Sequence, residues 1–274
     1  VPAVEETEWR DDNQAWWDAR VAAHAESELY DLDGLVAGRD DLRPWEPDDV
    51  GPVDGLDLIH LQCHLGTDTV GWARRGARTV GLDFSQLALD VAAELARRCG
   101  LDMEWIQSDV YEAADAVGGR TFDVVYTGIG ALGWLPDLDR WARVVRDLLH
   151  PGGFLYLFEI HPMWVALAAD GRTLGEDALG ATYQRWDEHD WGSYAAPDAR
   201  FDATVTWERT HAIGEVLTAV LDAGLTIEQY REHDVTNAPT KWLELGPDRL
   251  YHFPEGHPHF PLTYSLRARR SRKS

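Results

Sequence analysis

A doubly wound α/β sheet is predicted for most of this chain, and three features predict it. Short apolar runs recur at LDLIHLQ (56–62), ARTVGLD (77–83), MEWIQSD (103–109), FDVVYTG (122–128) and GFLYLFEI (153–160). They are apolar nearly throughout, as strands covered on both faces of a parallel sheet must be. Segments of helical periodicity separate them, and regular alternation of strand and helix is what winds a parallel sheet with helices on both sides.

The elements follow in chain order. Residues 11–30 read as a helix, with Trp16, Ala23 and Tyr30 spaced by seven. The first strand runs into a turn at Gln62–Gly66 and then into a helix at Thr67-Asp68. After the second strand Ser85 suits an N-cap, and Leu87, Val91 and Leu95 recur at four-residue spacing. After the fourth, Pro136-Asp137 opens a helix whose stripe is Leu138, Trp141, Val145 and Leu148, and His150-Pro151-Gly152-Gly153 stops it. Residues 162–207 break the alternation and are dense in aromatics: Trp164, Tyr183, Trp186, Trp191, Tyr194, Phe201 and Trp207. That stretch is too long for a plain connection and predicts a substrate lid. A helix at 211–223, with Ile213, Val216, Leu217 and Val220 inward and Gly224 at its end, leads to two last strands, LTIEQYREHD (225–234) and PLTYSLRAR (261–269). The predicted organisation is a helical cap at 1–50, a nucleotide-binding-type domain at 51–161 and 208–274, and the inserted lid at 162–207.

Composition narrows the function. A chain of 274 residues with 45% hydrophobic residues can build a real core. Its net charge of -23 argues against a nucleic-acid surface, and the one basic cluster, RARRSRKS at 267–274, is a terminal tail. The apolar runs are far short of a membrane span, and VPAVEETEWR lacks the basic and apolar regions of a signal peptide, so a cytoplasmic protein is expected. Cys63 and Cys99 fit a reducing compartment, and no His, Cys or carboxylate group has metal spacing. The negative field favours small neutral or cationic partners.

Ligands of open parallel sheets bind at the carboxyl ends of the strands. Those ends carry the Gln62–Gly66 turn, Asp83, Asp109, Thr127-Gly128 and Glu159-Ile160-His161. A carboxylate at the end of the second strand has the two acceptor oxygens that a ribose diol needs, and one after the third can accept from an adenine amino group. Each aspartate alone is as readily a helix cap; the ordered set describes an adenosine site. A dinucleotide would need backbone amides brought up to a pyrophosphate by G-x-G-x-x-G. Here Gln62 and His64 stand where two of those glycines would fall. A turn that keeps side chains suits an adenosyl ligand without phosphate, and Gln62 or His64 can face its tail.

With these residues in place the chain resembles the class I S-adenosylmethionine-dependent methyltransferases, and within them a bacterial branch with an "LHLQCHFGLDT"-like first motif. Here it reads "IHLQCHLGTDTVGWA", followed by "GARTVGLDFS", "WIQSDVYE", "FDVVYTGIGALGWLPDLDRWARVV" and "LLHPGGFLYLFEIHP". The likeness departs from the wider class at its E/D-x-G-x-G-x-G motif, where His60 replaces the acid and only Gly66 of the glycines survives. The resemblance implies a seven-stranded sheet of order 3-2-1-4-5-7-6 with the last strand antiparallel. It implies S-adenosyl-L-methionine as cofactor and S-adenosyl-L-homocysteine as product. Asp83 would hold the ribose, Phe84 lie beside the adenine, Asp109 and the Val110 amide meet the adenine, and Thr127-Gly128 approach the methionine amino group. Gln62, His64, Gly66 and Asp68 complete the expected cofactor set.

Methyl transfer from a sulfonium is an in-line displacement, so alignment and exclusion of water come before any catalytic triad. The expected acceptor is a small molecule methylated on oxygen or nitrogen. Trp17, His24, Tyr30, Trp134, Tyr183 and Trp186 are its expected wall. His161 is the first choice for a general base, with Glu159 beside it, because a histidine accepts protons near neutrality. The structural alternative for His161 is a turn-fixing contact next to Pro162, and for His24 and His211 the structural role is favoured. A nicotinamide-dependent oxidoreductase and a non-catalytic adenosyl-binding protein are the competing functions. A monomer or homodimer is expected.

Overall fold

Leu58, Ile59 and Leu61 are wholly buried in the first strand, as are Val124, Val125 and Tyr126 in the fourth and Leu155, Tyr156 and Leu157 in the fifth. That two-sided burial is the reason these runs carry almost no polar residue. The computed structural model describes residues 6–167, 171–175, 178–180, 182–189 and 192–272. Trp191, part of the aromatic run, lies outside the described residues.

Helices α1 (Glu6–Ala25), α2 (Leu32–Val36) and α3 (Glu46–Val50) precede β1 (Asp57–Leu61). Then come α4 (Thr67–Ala73), β2 (Arg78–Asp83), α5 (Gln86–Arg98), β3 (Glu104–Gln107), α6 (Ala113–Ala116), β4 (Phe122–Thr127), α7 (Leu138–Leu148) and β5 (Leu149–Ile160). The segment after β5 holds α8 (Pro162–Val165) and an antiparallel hairpin of β6 (Gln184–Asp187) and β7 (Val205–Glu208). Helix α9 (Ile213–Asp222) and β8 (Leu225–His233) follow, then β9 (Val235–Thr236), β10 (Glu244–Leu245), β11 (Tyr251–His252) and β12 (Thr263–Arg270).

The main sheet has the order β3-β2-β1-β4-β5-β12-β8, with β12 antiparallel to both β5 and β8. Counted by the strands of this sheet, that is the predicted 3-2-1-4-5-7-6. The predicted caps form: Ser85 Oγ accepts from the Ala88 amide, and Asp137 accepts from Arg140. Helix α7 buries Leu138, Trp141, Val145 and Leu148 as its stripe requires.

Three features differ from the sequence reading. Helix α5 is rotated: Leu87 is 51% exposed, and the inner face is Ala88, Leu89, Ala92, Leu95 and Ala96. Alanines let the helix lie close on the sheet, but they weigh little in a hydropathy stripe. Strand β5 begins directly after α7, and its pairing with β4 shifts register between Phe122 and Val124, around the Pro151-Gly152-Gly153 kink. Between β8 and β12 a small sheet of order β10-β11-β9 stands where no element was predicted.

Helix α1 lies across the carboxyl edge of the sheet and is fastened to the β6–β7 segment. Asn13 donates to the Trp207 carbonyl (2.8 Å) and accepts from its amide (2.7 Å). The Arg20 guanidinium lies 3.6 Å from the centre of the Trp16 ring and 4.3 Å from that of Phe201, and donates to the carbonyls of Gly192 and Ala203. Among the described residues no helix is long and apolar enough to cross a membrane.

Candidate functional site

The turn after β1 keeps the backbone of a glycine loop with side chains at two of its left-handed positions. Gln62, His64 and Gly66 have φ of 56°, 46° and 72°, all left-handed. A non-glycine residue there costs about 1–2 kcal/mol, so two in one turn mark a place where the side chains are worth the strain. Gly66 is retained for a packing reason: a Cβ would lie 2.5 Å from the Trp105 ring and 3.0 Å from Ala92.

This turn opens into a cavity of about 890 Å³ at the carboxyl edge. Gln62, His64, Thr67 and Asp68 form its floor with Gly128 and Gly130 of the loop after β4. Trp17, Tyr30 and Trp134 also line it, as do Trp164, Trp186 and Tyr194 from the segment after β5. Trp17 packs edge-on to Trp134 (5.2 Å between centroids) and to His64 (4.9 Å). The Tyr30 and Tyr194 hydroxyls are 2.5 Å apart, joining the N-terminal region to the insertion. The segment between β9 and β11 contributes Asn237–Pro239 and Leu250–Tyr251 to the lining. Sequence reasoning missed that segment and also Arg43.

Asp68 does not point a free carboxylate at a ligand. Its Oδ2 lies 2.7 Å from the Arg43 guanidinium and accepts from Tyr126 Oη (3.3 Å), and Glu46 holds the other side of Arg43 at 2.7 Å. Burial pushes the Asp68 carboxyl up to about 7, with Arg43 opposing and Asp41 and Glu46 reinforcing the rise. His60, in place of the motif acid, is buried, bonds through Nδ1 to Thr69 Oγ1 (2.8 Å), and lies edge-on to Tyr126.

The expected adenosine contacts lie under α1 and do not line the cavity. Asp83 accepts from the His64 amide (2.8 Å) through one oxygen and from the Ser85 amide (2.9 Å) through the other. Burial pushes its carboxyl up to about 6 against those amides. Gln14 of α1 donates to the Phe84 carbonyl (3.0 Å), and the Ser85 hydroxyl bonds to Asp18. Asp109 accepts from Tyr111 N (2.8 Å), capping the turn that begins at Val110, and Arg10 stands 3.8 Å from it. Thr127 is wholly buried at the end of β4. Asp83 at the end of β2 and Asp109 just after the adjacent β3 thus sit at one edge, and the N-terminal helix covers both.

The two residues expected to move protons are engaged elsewhere. His161 does not line the cavity: its Nδ1 accepts from the Met163 amide (3.1 Å) as the cap of α8, and its Nε2 lies 3.5 Å from Glu232. Glu159 does line it, but its carboxylate accepts from the amides of Gly130 (2.6 Å), Ala131 (2.9 Å), Leu132 (2.8 Å) and Ile160 (2.6 Å). Burial raises its pKa and those four amides oppose the rise. It is the anchor of the loop after β4. Tyr183 is also outside the cavity, donating to the Trp134 carbonyl (3.2 Å) and stacked on Trp207. His24 stands behind His64, wholly buried, with ring nitrogens 3.0 Å apart. His211 shares Nε2 between the Leu132 and Leu135 carbonyls.

Strand order, the left-handed turn and the cavity beside it define a Rossmann-like methyltransferase architecture. The family model described as a methyltransferase domain matches residues 49–155. That match spans β1 to β4 and most of β5, about two fifths of the chain. Among curated relatives, the ubiquinone biosynthesis O-methyltransferase of Ruegeria pomeroyi is 31% identical over 156 residues, which are 55% of this chain and 58% of that protein. The enzyme of the same name from Alkalilimnicola ehrlichii is 29% identical over 181 residues, 63% of this chain and 70% of the relative. The chain thus spans little more than half of the first relative's length. Among solved structures, an S-adenosylmethionine-dependent methyltransferase from Mesorhizobium loti superposes with a TM-score of 0.57 at 23% identity, over 87% of this chain and all of that one. The 1,6-didemethyltoxoflavin-N1-methyltransferase of Burkholderia thailandensis gives 0.58 at 14% identity, over 99% of this chain and 92% of that one. At such identities the likeness speaks for the fold.

Proposed function

We propose that the whole chain transfers the methyl group of S-adenosyl-L-methionine to an oxygen or nitrogen of a small-molecule acceptor. The observation that carries this reading is the single cavity joining the left-handed turn after β1 to an aromatic-walled space over the ends of β4 and β5. The names of the curated relatives support oxygen as the acceptor atom, and the Burkholderia enzyme's name supports nitrogen as the alternative. The residues fit the cofactor. Gln62 Oε1 is buried at the turn without a hydrogen-bond partner, an acceptor for a donor that a ligand supplies. Asp83 and Asp109 stand at neighbouring strand tips for the adenosine, once α1 yields its contacts with Phe84, Ser85 and Asp109.

The cofactor supplies a methyl already activated on sulfonium. The protein's part is alignment and exclusion of water, worth on the order of 7–11 kcal/mol at best. Trp17, Tyr30, Trp134, Trp164, Trp186 and Tyr194 present flat apolar faces that orient a planar acceptor, with residues 1–50 and 162–207 acting as the cap and lid. With His161 and Glu159 committed to backbone amides, the reading requires an acceptor that needs no strong base, such as an acidic phenol. Calorimetry with S-adenosyl-L-homocysteine, and release of that product across a panel of phenols and heteroaromatic amines, tests it. Micromolar binding with turnover of a panel member is expected; absence of binding would overturn the reading.

A further inference from the structure

The two side chains that replace glycines in the turn after β1 are complementary to the two ends of an amino-acid zwitterion. Gln62 Nε2 donates to the Ala131 carbonyl (3.0 Å), and because a carbonyl only accepts, this contact fixes which way the amide faces. Its Oε1 is left as a buried acceptor without a partner.

The proton of His64 is set from a distance. Ser193, in the insertion, accepts on Oγ from the amides of Ala195 (3.2 Å) and Ala196 (3.0 Å). Both lone pairs are then used, so its hydroxyl hydrogen is donated to His24 Nε2 (3.0 Å). A neutral His24 carries its own proton on Nδ1 and donates it to His64 Nε2 (3.0 Å). A neutral His64 then carries its proton on Nδ1, the ring nitrogen left for the cavity it lines. Both rings are neutral at physiological pH: burial and the neighbouring Arg20 lower His24 to about 4, and burial and His24 lower His64 to about 3.

We propose that Gln62 Oε1 accepts from the α-ammonium of the cofactor and His64 Nδ1–H donates to its α-carboxylate, with Ser193 and His24 as positioning residues that hold the His64 tautomer. The proposal rests on the cofactor reading above and gives the side chains the task that backbone would perform in a glycine-rich turn. It explains why two left-handed positions keep large polar residues. It also makes recognition of the amino-acid tail depend on a serine of the insertion, 169 residues away from His24 in sequence.

Calorimetry with two probes separates the parts. S-adenosyl-L-homocysteine carries the amino-acid tail, and 5′-methylthioadenosine shares the adenosine and thioether without it. Gln62→Leu and His64→Ala are expected to weaken S-adenosyl-L-homocysteine about tenfold or more and leave 5′-methylthioadenosine unchanged. Ser193→Ala is expected to act in the same direction by about threefold or more, with Ser193→Thr restoring affinity. Nitrogen-15 spectra of the histidines should show His64 protonated on Nδ1 in the native protein and a mixture of tautomers in Ser193→Ala. Equal losses for both probes, or none for either, would overturn the proposal, as would an Nε2-protonated His64. A native protein that binds neither probe would overturn the cofactor reading itself.

Discussion

Glu159→Gln separates the two roles open to a carboxylate that four backbone amides surround. In the native protein one oxygen accepts from Gly130 and Ile160 and the other from Ala131 and Leu132, at 2.6–2.9 Å. Glutamine keeps the shape but turns one oxygen into an NH₂ group. Whichever way the amide settles, two backbone N–H groups then face a donor. Each buried N–H without an acceptor costs about 1–3 kcal/mol, so the variant should lose roughly 2–6 kcal/mol of stability. Urea unfolding followed by tryptophan fluorescence measures this directly, with an unchanged slope showing that the unfolded state is not the cause. A proton-transfer role gives the opposite pattern: stability kept, and turnover down by about 10²–10⁴-fold. A stability change under about 1 kcal/mol would refute the anchoring argument.

Two further outcomes follow from the same turn and its neighbours. Gly66→Ala combines a left-handed backbone with a Cβ 2.5 Å from Trp105, so a loss of about 2–5 kcal/mol is expected in thermal or urea unfolding. Ring signals of His24 and His64 should show no titration between pH 7.5 and 5, because their pKa values lie near 4 and 3. Those rings contribute stability that is complete above about pH 6.5, where the unfolded chain's histidines are also neutral, and is lost as pH falls toward 4. Asp68 and Asp83, raised to about 7 and about 6, run the other way, so the resonances rather than the melting temperature are the readout.

Much of the fold was legible because the main strands are covered on both faces, and a run such as LDLIHL has few other uses. Caps at Ser85 and Asp137 were legible because their partners lie three residues away. The face of α5 was misread because alanine packs well against a sheet without standing out in hydropathy. Strands β9, β10 and β11 are two residues each and leave no period to detect. At the site, Gln62 and His64 were legible as replacements for glycine. The task of Glu159 was not, because four amides claim it only once the chain is folded, whereas the contact His161 makes with the Met163 amide is the turn-fixing alternative that its place before Pro162 suggested. The Ser193–His24–His64 chain spans the insertion, the N-terminal helix and a strand end, and no local pattern encodes such a meeting.

The Arg20 and Asn13 contacts join two parts of the site. One end of α1 shields the strand tips that carry Asp83 and Asp109, while its partner hairpin overhangs the aromatic space. These side chains tie helix to hairpin, so on the proposed function a displacement of α1 that frees the strand tips for the cofactor would also shift the hairpin that lines the acceptor space. If binding of the cofactor shifts that joined pair, the affinities of cofactor and acceptor should change each other by the same factor.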